Sequence, residues 1–158
     1  MRLLLIGGSR FVGRHLVDAA LVAGHEVTLF NRGLSDVQGR PGVRQLLGDR
    51  RRDLSPLQQG TWDAVVDTCG YLPSEVRAMA RCLAGRVGRY AFISSISAYA
   101  SFATANTEDS PLATLDGPEP AQADASTYGA LKAGCEQVLV QDLGERALVV
   151  RPGLIVGP

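Results

Sequence analysis

Tyr128 and Lys132 lie four residues apart in the stretch TYGALKAGCE, residues 127–136, and Lys132 is the only lysine among the 16 Lys and Arg residues of the chain. At this spacing two side chains share one face of a helix. An ammonium beside a phenol favours the phenolate and lowers the phenol's pKa from near ~10, which suits it to general acid–base chemistry. Lysine does this better than arginine because it is a compact point charge that can also bind a hydroxyl group. The alternative interpretation is an exposed pair on an amphipathic helix.

The elements that would position this pair follow from the hydrophobic pattern. Short apolar runs rich in Leu, Val and Ile alternate with helical patterns over residues 11–23, 73–84 and 126–141, and the runs are LLLIG, EVTLF, VRQLLG, DAVVDT, RYAFISS and ALVVRPG. This alternation predicts an α/β fold with a doubly wound parallel sheet. The continuous hydrophobicity of the runs predicts that both faces of the sheet are covered. Residues 101–124 are predicted to form a long irregular loop, of a kind that is usually functional or disordered.

A glycine-rich turn follows the first predicted strand. The motif GGSRFVG places Gly7, Gly8 and Gly13 where this strand meets a helix. Glycines there permit a tight turn and close helix packing, and the free N–H groups of the helix favour a pyrophosphate. Arg10 occupies the middle glycine position of a GxxGxxG register, where its guanidinium could itself contact phosphate. The alternative is a glycine-rich turn that binds no ligand.

The second predicted strand ends in LFNRG, which lacks the Asp or Glu that binds a free ribose 2′-hydroxyl. Asn31 and Arg32 stand there instead. A guanidinium suits a 2′-phosphate, so NADP(H) is favoured over NAD(H), with a solvent-facing turn residue as the alternative for Arg32. Asp49, after the third strand, is placed either to meet the adenine edge or to serve only the turn. The arginine run 50–52 is predicted to be a solvated loop rather than a phosphate track.

Composition narrows the classes of protein and partner. The chain has 158 residues, the length of one ordinary domain, and its formal net charge of +0 indicates neither a nucleic-acid nor an acidic-membrane partner. No segment approaches the length of a membrane span, and the apolar run in MRLLLIGG is too short for a signal peptide. Cys69, Cys82 and Cys135 are odd in number and lack metal-binding spacing. These features predict a cytoplasmic, reduced and metal-free protein.

Taken together, these motifs resemble those of the extended short-chain dehydrogenase/reductases, in the NAD-dependent epimerase/dehydratase family and its GGxRFxG subgroup. The resemblance runs through GGSRFVG, LFNRG, GDR, VVDTCGY, FISSISAY, YGALK and RPGLIVGP. It implies a Rossmann fold over residues 1–158 with strand order 3-2-1-4-5-6. It also implies that Ser95 polarises a substrate oxygen, Tyr128 carries a proton and Lys132 binds the nicotinamide ribose. Further cofactor contacts implied within these motifs are Phe11, Arg50, Cys69, Gly70 and Tyr71.

The implied activity is that of an NAD(P)-dependent oxidoreductase or epimerase acting on a hydroxyl or keto group of a nucleotide sugar or a small carbonyl compound. Sugar dehydration is disfavoured because Ile96 and Ser97 follow Ser95, where dehydratases of the family carry an Asp-Glu pair. A non-catalytic NAD(P)-binding regulator or an RNA-associated relative is the alternative function.

Two expectations concern what lies beyond this domain. Relatives continue past the RPGLIVGP turn into a C-terminal substrate domain that this sequence lacks, so the chain is expected to be the N-terminal part of a longer protein. A homodimer through the helices at 73–84 and 126–141 is expected.

Overall fold

A six-stranded parallel sheet forms the centre of the structure, a computed structural model that describes residues 1–34 and 40–157. The strands are β1 (Arg2–Ile6), β2 (Glu26–Asn31), β3 (Val43–Leu47), β4 (Trp62–Asp67), β5 (Val87–Ile93) and β6 (Ala147–Val150). They lie in the order β3-β2-β1-β4-β5-β6, and every neighbouring pair is parallel. The doubly wound α/β fold and the strand order expected from the sequence are therefore confirmed.

Three α-helices connect the strands, α1 (Phe11–Val22), α2 (Pro73–Leu83) and α3 (Tyr128–Leu143). Single 3₁₀ turns occur at Ser55–Leu57, Ile96–Ala98 and Gly144–Arg146, and we refer to the second as the serine turn. Because crossovers between parallel strands are right-handed, the reversal of strand order at β1 puts α1 on one face and the other two helices on the opposite face. Helix α3 begins and ends two residues later than the predicted 126–141.

The core has two parts because side chains alternate between the faces of each strand. In β1, Leu4 and Ile6 belong to the larger apolar cluster, which includes Met79 of α2 and Leu139 of α3. Leu5, between them, belongs to the smaller cluster against α1. The packing of these two layers fixes the carboxyl edge of the sheet, where all six strands end.

The prediction that both sheet faces are covered is wrong at the β6 edge. In β6, Leu148 is 55% exposed and Val150 is 40% exposed. Within the described residues the helix on that face is α1, and it packs against β1 and β2, at the other side of the sheet. The apolar run of β6 is therefore not a sign that both of its faces are buried.

The irregular segment predicted between the serine turn and α3 is present and is held at several points. Tyr99 forms an antiparallel bridge with Leu112, and the amide of Ala100 donates to the Pro111 carbonyl at 2.9 Å. Further along, the Glu119 carboxylate accepts from the Ser74 amide, at the start of α2, at 3.0 Å. In the two described ranges, no helix has the length and apolar character needed to cross a bilayer.

Candidate active site

A cleft of about 720 Å³ lies at the carboxyl edge of the sheet, over the ends of β1, β2, β3 and β4. This is where the strand order reverses, the usual place for a ligand in a doubly wound sheet. The cleft brings together most of the predicted cofactor contacts, which are Gly7, Gly8, Arg10, Phe11, Gly13, Asn31, Arg32, Asp49, Arg50, Cys69 and Tyr71. Gly70 and Lys132 are not part of its lining.

The glycine turn leaves space at the N-terminus of α1 and, among the described residues, N–H donors without a side-chain cap. Gly8 has a φ of 80°, and a Cβ on Gly13 would lie only 2.6 Å from the Gly8 Cα, so the helix and the turn approach more closely than any side chain permits. The first turn of α1 has no acidic residue, and the N-cap residue Arg10 makes no side-chain capping bond. Uncapped N–H groups at a helix start are suited to a phosphate. These residues therefore fit the pyrophosphate of a dinucleotide.

Phe11, the first residue of α1, adopts a φ of 36°. A positive φ is unusual for an aromatic residue and carries a conformational cost. The residue is 40% exposed and lines the cleft. Strain of this kind is concentrated at functional sites, which agrees with the placement of Phe11 in the cofactor motif.

The end of β2 supplies a rigid amide and an exposed guanidinium. Asn31 Oδ1 accepts from the Gly33 amide and from Gln45 Nε2, each at 2.9 Å. Its Nδ2 is buried and has no hydrogen-bond partner in the described part of the chain. Arg32 is exposed beside it and makes no ion pair with any described residue. This corner of the cleft therefore presents, among the described residues, an unpaired amide N–H group and an exposed guanidinium to a ligand.

Asp49 serves the turn after β3. Its Oδ1 accepts from the Arg51 amide at 2.9 Å, and its backbone pairs with Asp53 in an isolated bridge. Asp49 nevertheless lines the cleft, so the turn role and an adenine contact are compatible.

Arg50 is buried, and the prediction of a solvated arginine run is wrong for this residue. Its side chain is 10% exposed, and each of its Nη atoms lies 3.0 Å from an oxygen of the fully buried Asp67. Asp67 also accepts from the Tyr90 hydroxyl at 2.8 Å and from the Cys69 amide at 3.1 Å. Burial opposes ionisation of Asp67, but the charge and hydrogen bonds of Arg50 outweigh it, and the pKa of the carboxyl is lowered. The arginine run gave no sign of this pair, because its partner Asp67 ends β4, which two strands separate from β3 in the sheet.

Cys69 lies beside this pair as a neutral thiol. Burial raises its pKa to about 11, although Arg50 Nη1 lies 3.4 Å from the sulfur. A thiol with a raised pKa is a weak nucleophile. Cys69 is therefore a wall of the cleft and not a reactive group.

Lys132 is buried at 3% exposure, so the alternative of an exposed helical pair is wrong for this residue. Its Nζ donates to the carbonyl oxygens of Gly70 at 3.0 Å and Ile93 at 2.6 Å, and lies 4.2 Å from the centre of the Phe92 ring. Burial lowers the pKa of this amine. No hydrogen bond or ring contact joins it to Tyr128 within the described residues. The amine instead ties α3 to the ends of β4 and β5.

Tyr128 stands at the start of α3, next to the cleft. Its ring centre lies 6.5 Å from that of Tyr71, at an angle of 44°. Tyr71 in turn lines the cleft, and the Lys132 amine lies 5.7 Å from its ring centre. The two phenol rings therefore connect the cleft to the helix that carries Tyr128 and Lys132.

Ser95 caps the serine turn on the neighbouring element. Its Oγ accepts from the Ser97 amide and lies 3.1 Å from the Ser97 hydroxyl. A Cβ on Gly129 would lie 2.2 Å from the Ser97 carbonyl oxygen, so the first turn of α3 packs directly on the serine turn. The fold thus places Ser95 and Tyr128 on two elements in contact, although no hydrogen bond joins them in the described structure.

Sequence reasoning missed a second buried ion pair, between Glu136 on α3 and Arg151 after β6. The two side chains are 3% and 18% exposed, and Arg151 Nη2 lies 2.7 Å from Glu136 Oε2. Glu136 falls four residues after Lys132, so the helical spacing used for Tyr128 and Lys132 was a signal that could have found it.

In the ranges that the structure describes, no group of three or more His, Cys, Asp and Glu could hold a metal ion.

The described fold is closely similar to those of several solved enzyme structures. UDP-glucuronic acid 4-epimerase from Bacillus cereus, solved with NAD, aligns with a TM-score of 0.78 at 17% identity, over 100% of this chain and 58% of its own. A UDP-galactose 4-epimerase aligns at 0.74 and 24% identity, over 96% and 55%. A UDP-Glc/GlcNAc 4-epimerase from Campylobacter jejuni aligns at 0.74 and 18% identity, over 95% and 52%.

These likenesses establish the fold, because at such identities shared architecture does not carry function with it. The chain spans little more than half the length of these proteins. The sequence matches no protein-family model and no curated protein.

Proposed function

We propose that the chain is the dinucleotide-binding part of an NAD(P)-dependent epimerase or oxidoreductase of the extended short-chain dehydrogenase type. The observation that carries this proposal is the continuity from the phosphate-binding turn, through Tyr71, to Tyr128. A cleft shaped for a dinucleotide thus ends beside a phenol on a helix that also holds a buried lysine. A binding module without turnover has no need of that last feature.

The cofactor would lie along the cleft, with its pyrophosphate at the N-terminus of α1 and its adenosine ribose near Asn31 and Arg32. NADP is the favoured cofactor because Arg32 is exposed, makes no ion pair among the described residues, and stands where NAD-specific folds carry a carboxylate. The structurally similar proteins include two that were solved with NAD bound, so binding of NAD is expected as well. Asp49 and Arg50 would border the adenine.

The nicotinamide, when bound, supplies the hydride acceptor and donor. Tyr128 would take the proton of the substrate hydroxyl as hydride leaves the same carbon, and would return it when hydride comes back. Ser95 would donate to the reacting oxygen, using the O–H that now lies 3.1 Å from the Ser97 hydroxyl. Two of the three N–H donors of Lys132 bind backbone carbonyls, and the third would donate to the nicotinamide ribose.

The substrate class is a nucleotide sugar or a small carbonyl compound that presents a secondary hydroxyl or a ketone. Return of hydride to the opposite face of the ketone gives an epimer, whereas net transfer to or from the cofactor gives an oxidation or reduction. Similarity to structures solved with UDP-glucuronic acid and UDP-glucose favours the nucleotide sugars as first candidates. A homodimer through α2 and α3 stays a prediction.

The test is a titration of the purified protein with NADPH and with NADH, followed through nicotinamide fluorescence. We expect both to bind and NADPH to bind more tightly. The protein is then incubated with cofactor and UDP-glucose, UDP-galactose or UDP-glucuronic acid, and the sugar stereochemistry is followed by NMR. Failure of both nucleotides to bind would overturn the proposal, and binding without turnover of any sugar or small ketone would favour a non-catalytic regulator.

A further inference from the structure

The Glu136–Arg151 pair joins a buried carboxylate to a partly buried guanidinium and lies outside the lining of the cofactor cleft. Arg151 Nε lies 3.1 Å from both carboxylate oxygens of Glu136, and Nη2 lies 2.7 Å from one of them. The guanidinium therefore meets the carboxylate with two nitrogens, a geometry that fixes orientation as well as distance. Glu136 projects from α3 one helical turn after Lys132 and two turns after Tyr128.

The pair forms hydrogen bonds with both ends of the segment that carries Ser95. At the near end, the Ser94 hydroxyl donates to Glu136 Oε1. At the far end, Arg151 Nη1 donates to the Tyr99 hydroxyl at 3.2 Å, and the guanidinium lies 4.9 Å from the centre of the Tyr99 ring. The four residues between Ser94 and Tyr99 comprise Ser95 and the serine turn. One carboxylate and one guanidinium therefore tie both ends of this segment to α3, in addition to the direct packing of Gly129 on Ser97.

Backbone hydrogen bonds to the residues on either side of Arg151 also hold the segment that carries Ser95. The Ser94 amide donates to the Val150 carbonyl at 2.8 Å, and the Ile96 amide donates to the Pro152 carbonyl at 3.0 Å. Both neighbours of Ser95 are thus fixed to the residues on either side of Arg151. Arg151 Nη1 also donates to the Glu108 carbonyl at 3.0 Å, which holds the irregular segment against the same point.

Stability alone does not account for ions at this place. A buried ion pair is often no more stabilising than apolar side chains of similar volume, because taking two charges out of water offsets much of their attraction. What apolar side chains cannot supply is directional bonding to a serine, a tyrosine and a carbonyl at once. A pair whose bonds join α3 to the segments that follow β5 and β6 fixes the positions of these three elements relative to one another.

We infer that Glu136 and Arg151 are positioning residues, which set the Ser95 hydroxyl relative to Tyr128 and Lys132 for proton and hydride transfer. The inference rests on the proposed function, since it assigns the pair a role in that chemistry. Neither residue lines the cofactor cleft, so the pair acts on turnover and leaves dinucleotide affinity unchanged. A misplacement of about 1 Å between reacting groups can cost about 10²-fold in rate.

The decisive variant is Glu136→Met/Arg151→Met, which replaces the ions by flexible apolar side chains. We expect it to fold, to keep the wild-type melting temperature within a few degrees because such replacements are often neutral, and to bind NADPH as before. Its kcat should fall by about 10²-fold. Glu136→Gln, which keeps the side-chain shape, is the second variant if the double replacement does not fold. Arg81→Gln is the matched control, because Arg81 also pairs with a carboxylate of α3, Asp142, but its own side chain is 66% exposed and no hydrogen bond joins the pair to the serine turn in the described structure.

Hydrogen exchange supplies a readout that does not need turnover. The amides of Ser97, Ala98 and Tyr99, which are bonded within the serine turn, should exchange faster in both Glu136 variants, while those of β1 and α1 stay at the wild-type rate. Wild-type turnover in a folded double variant, or unchanged exchange in the serine turn, would overturn the inference. If the variants show faster exchange but the wild-type protein itself turns over no substrate, the proposed function is overturned instead, and the catalytic role of the pair with it.

Discussion

The side-chain amine of Lys132 donates a hydrogen bond of 3.0 Å to the carbonyl oxygen of Gly70, joining helix α3 to the loop that follows β4. The same amine donates to the Ile93 carbonyl, at the end of β5, at 2.6 Å. One ammonium therefore holds two strand ends against the helix that begins with Tyr128. A compact charge with three rotatable donors suits this geometry, whereas a planar guanidinium does not.

Lys132→Arg is expected to reduce turnover strongly although the charge is kept. The site between the two carbonyls is closed, with Lys132 only 3% exposed, and the longer planar side chain cannot occupy it without displacing the loop or the helix. Steady-state kinetics and the NADPH Kd measure the effect. Arg81→Lys, an exchange of the same two residue types at a largely exposed position, should change neither. Full activity of Lys132→Arg would remove the lysine from the mechanism.

Tyr128→Phe is expected to lower kcat by at least ~10²-fold, the usual loss when an acid–base group is removed. Only the hydroxyl is deleted, so the ring contact with Tyr71 and the dinucleotide affinity should remain. Nicotinamide fluorescence gives the Kd and NMR of the sugar gives the turnover. A variant whose kcat stays within a few-fold of wild type would show that another group carries the proton.

The fold could be predicted from the sequence because each strand and helix is signalled locally. The cleft could be predicted for the same reason, since Gly7, Gly8 and Gly13 sit in one short motif. The pairing of Arg50 with Asp67 and of Arg151 with Glu136 could not, because the partners of each pair lie on elements far apart in sequence that meet only in the folded sheet and its helices, although the spacing of Glu136 after Lys132 marked that residue as a candidate. The sequence did give one sign of the first pair, because the otherwise apolar strand β4 ends in an acidic residue, Asp67.

Arg32→Asp is expected to weaken NADPH binding and to improve NADH binding relative to it. A carboxylate at this position accepts from a free ribose 2′-hydroxyl and repels a 2′-phosphate. The ratio of the two Kd values measures the preference. Arg44→Asp makes the same charge change on exposed β3, outside the cleft lining, and should leave the ratio unaltered. An unchanged ratio in Arg32→Asp would identify Arg32 as a turn residue and make Arg10 the better phosphate partner.

Gly13→Ala is expected to abolish dinucleotide binding. The added methyl would lie 2.6 Å from the Gly8 Cα and 2.7 Å from its nitrogen, so the phosphate-binding turn must move. Alanine is otherwise favoured over glycine in a helix by about 1 kcal/mol, and propensity therefore cannot cause the loss. Gly85→Ala, where an added Cβ meets nothing within 4 Å, is the control. Normal NADPH affinity in Gly13→Ala would show that the close approach is unrelated to cofactor binding.

Arg50→Ala is expected to lower the free energy of unfolding by about 3–5 kcal/mol at neutral pH, the usual cost of leaving one buried charge unpaired. The charge left unpaired is that of Asp67, whose side chain is fully buried, whereas Glu75, the second partner of Arg50, keeps its ion pair with Arg51. Arg51→Ala is the matched control from the adjacent position. Its side chain is 47% exposed, and its partner Glu75 keeps Arg50 Nε within 3.5 Å, so its loss should cost at most about 1 kcal/mol. Urea unfolding of both variants measures the difference.

The pH dependence of this defect tests its cause. In the wild type the pKa of Asp67 is lowered below its ordinary 3.8, so its stabilising contribution is present above that pH and is lost only as the pH falls through the lowered value. In Arg50→Ala, burial acts without the compensating guanidinium, and the pKa of Asp67 should rise above 3.8. Acidification then neutralises the unpaired carboxylate before it affects the wild type, so the stability gap between the two proteins should narrow as the pH falls from 7 toward about 4. A gap that stays constant over this range would mean that Arg50 stabilises the fold through packing and not through the charge of Asp67.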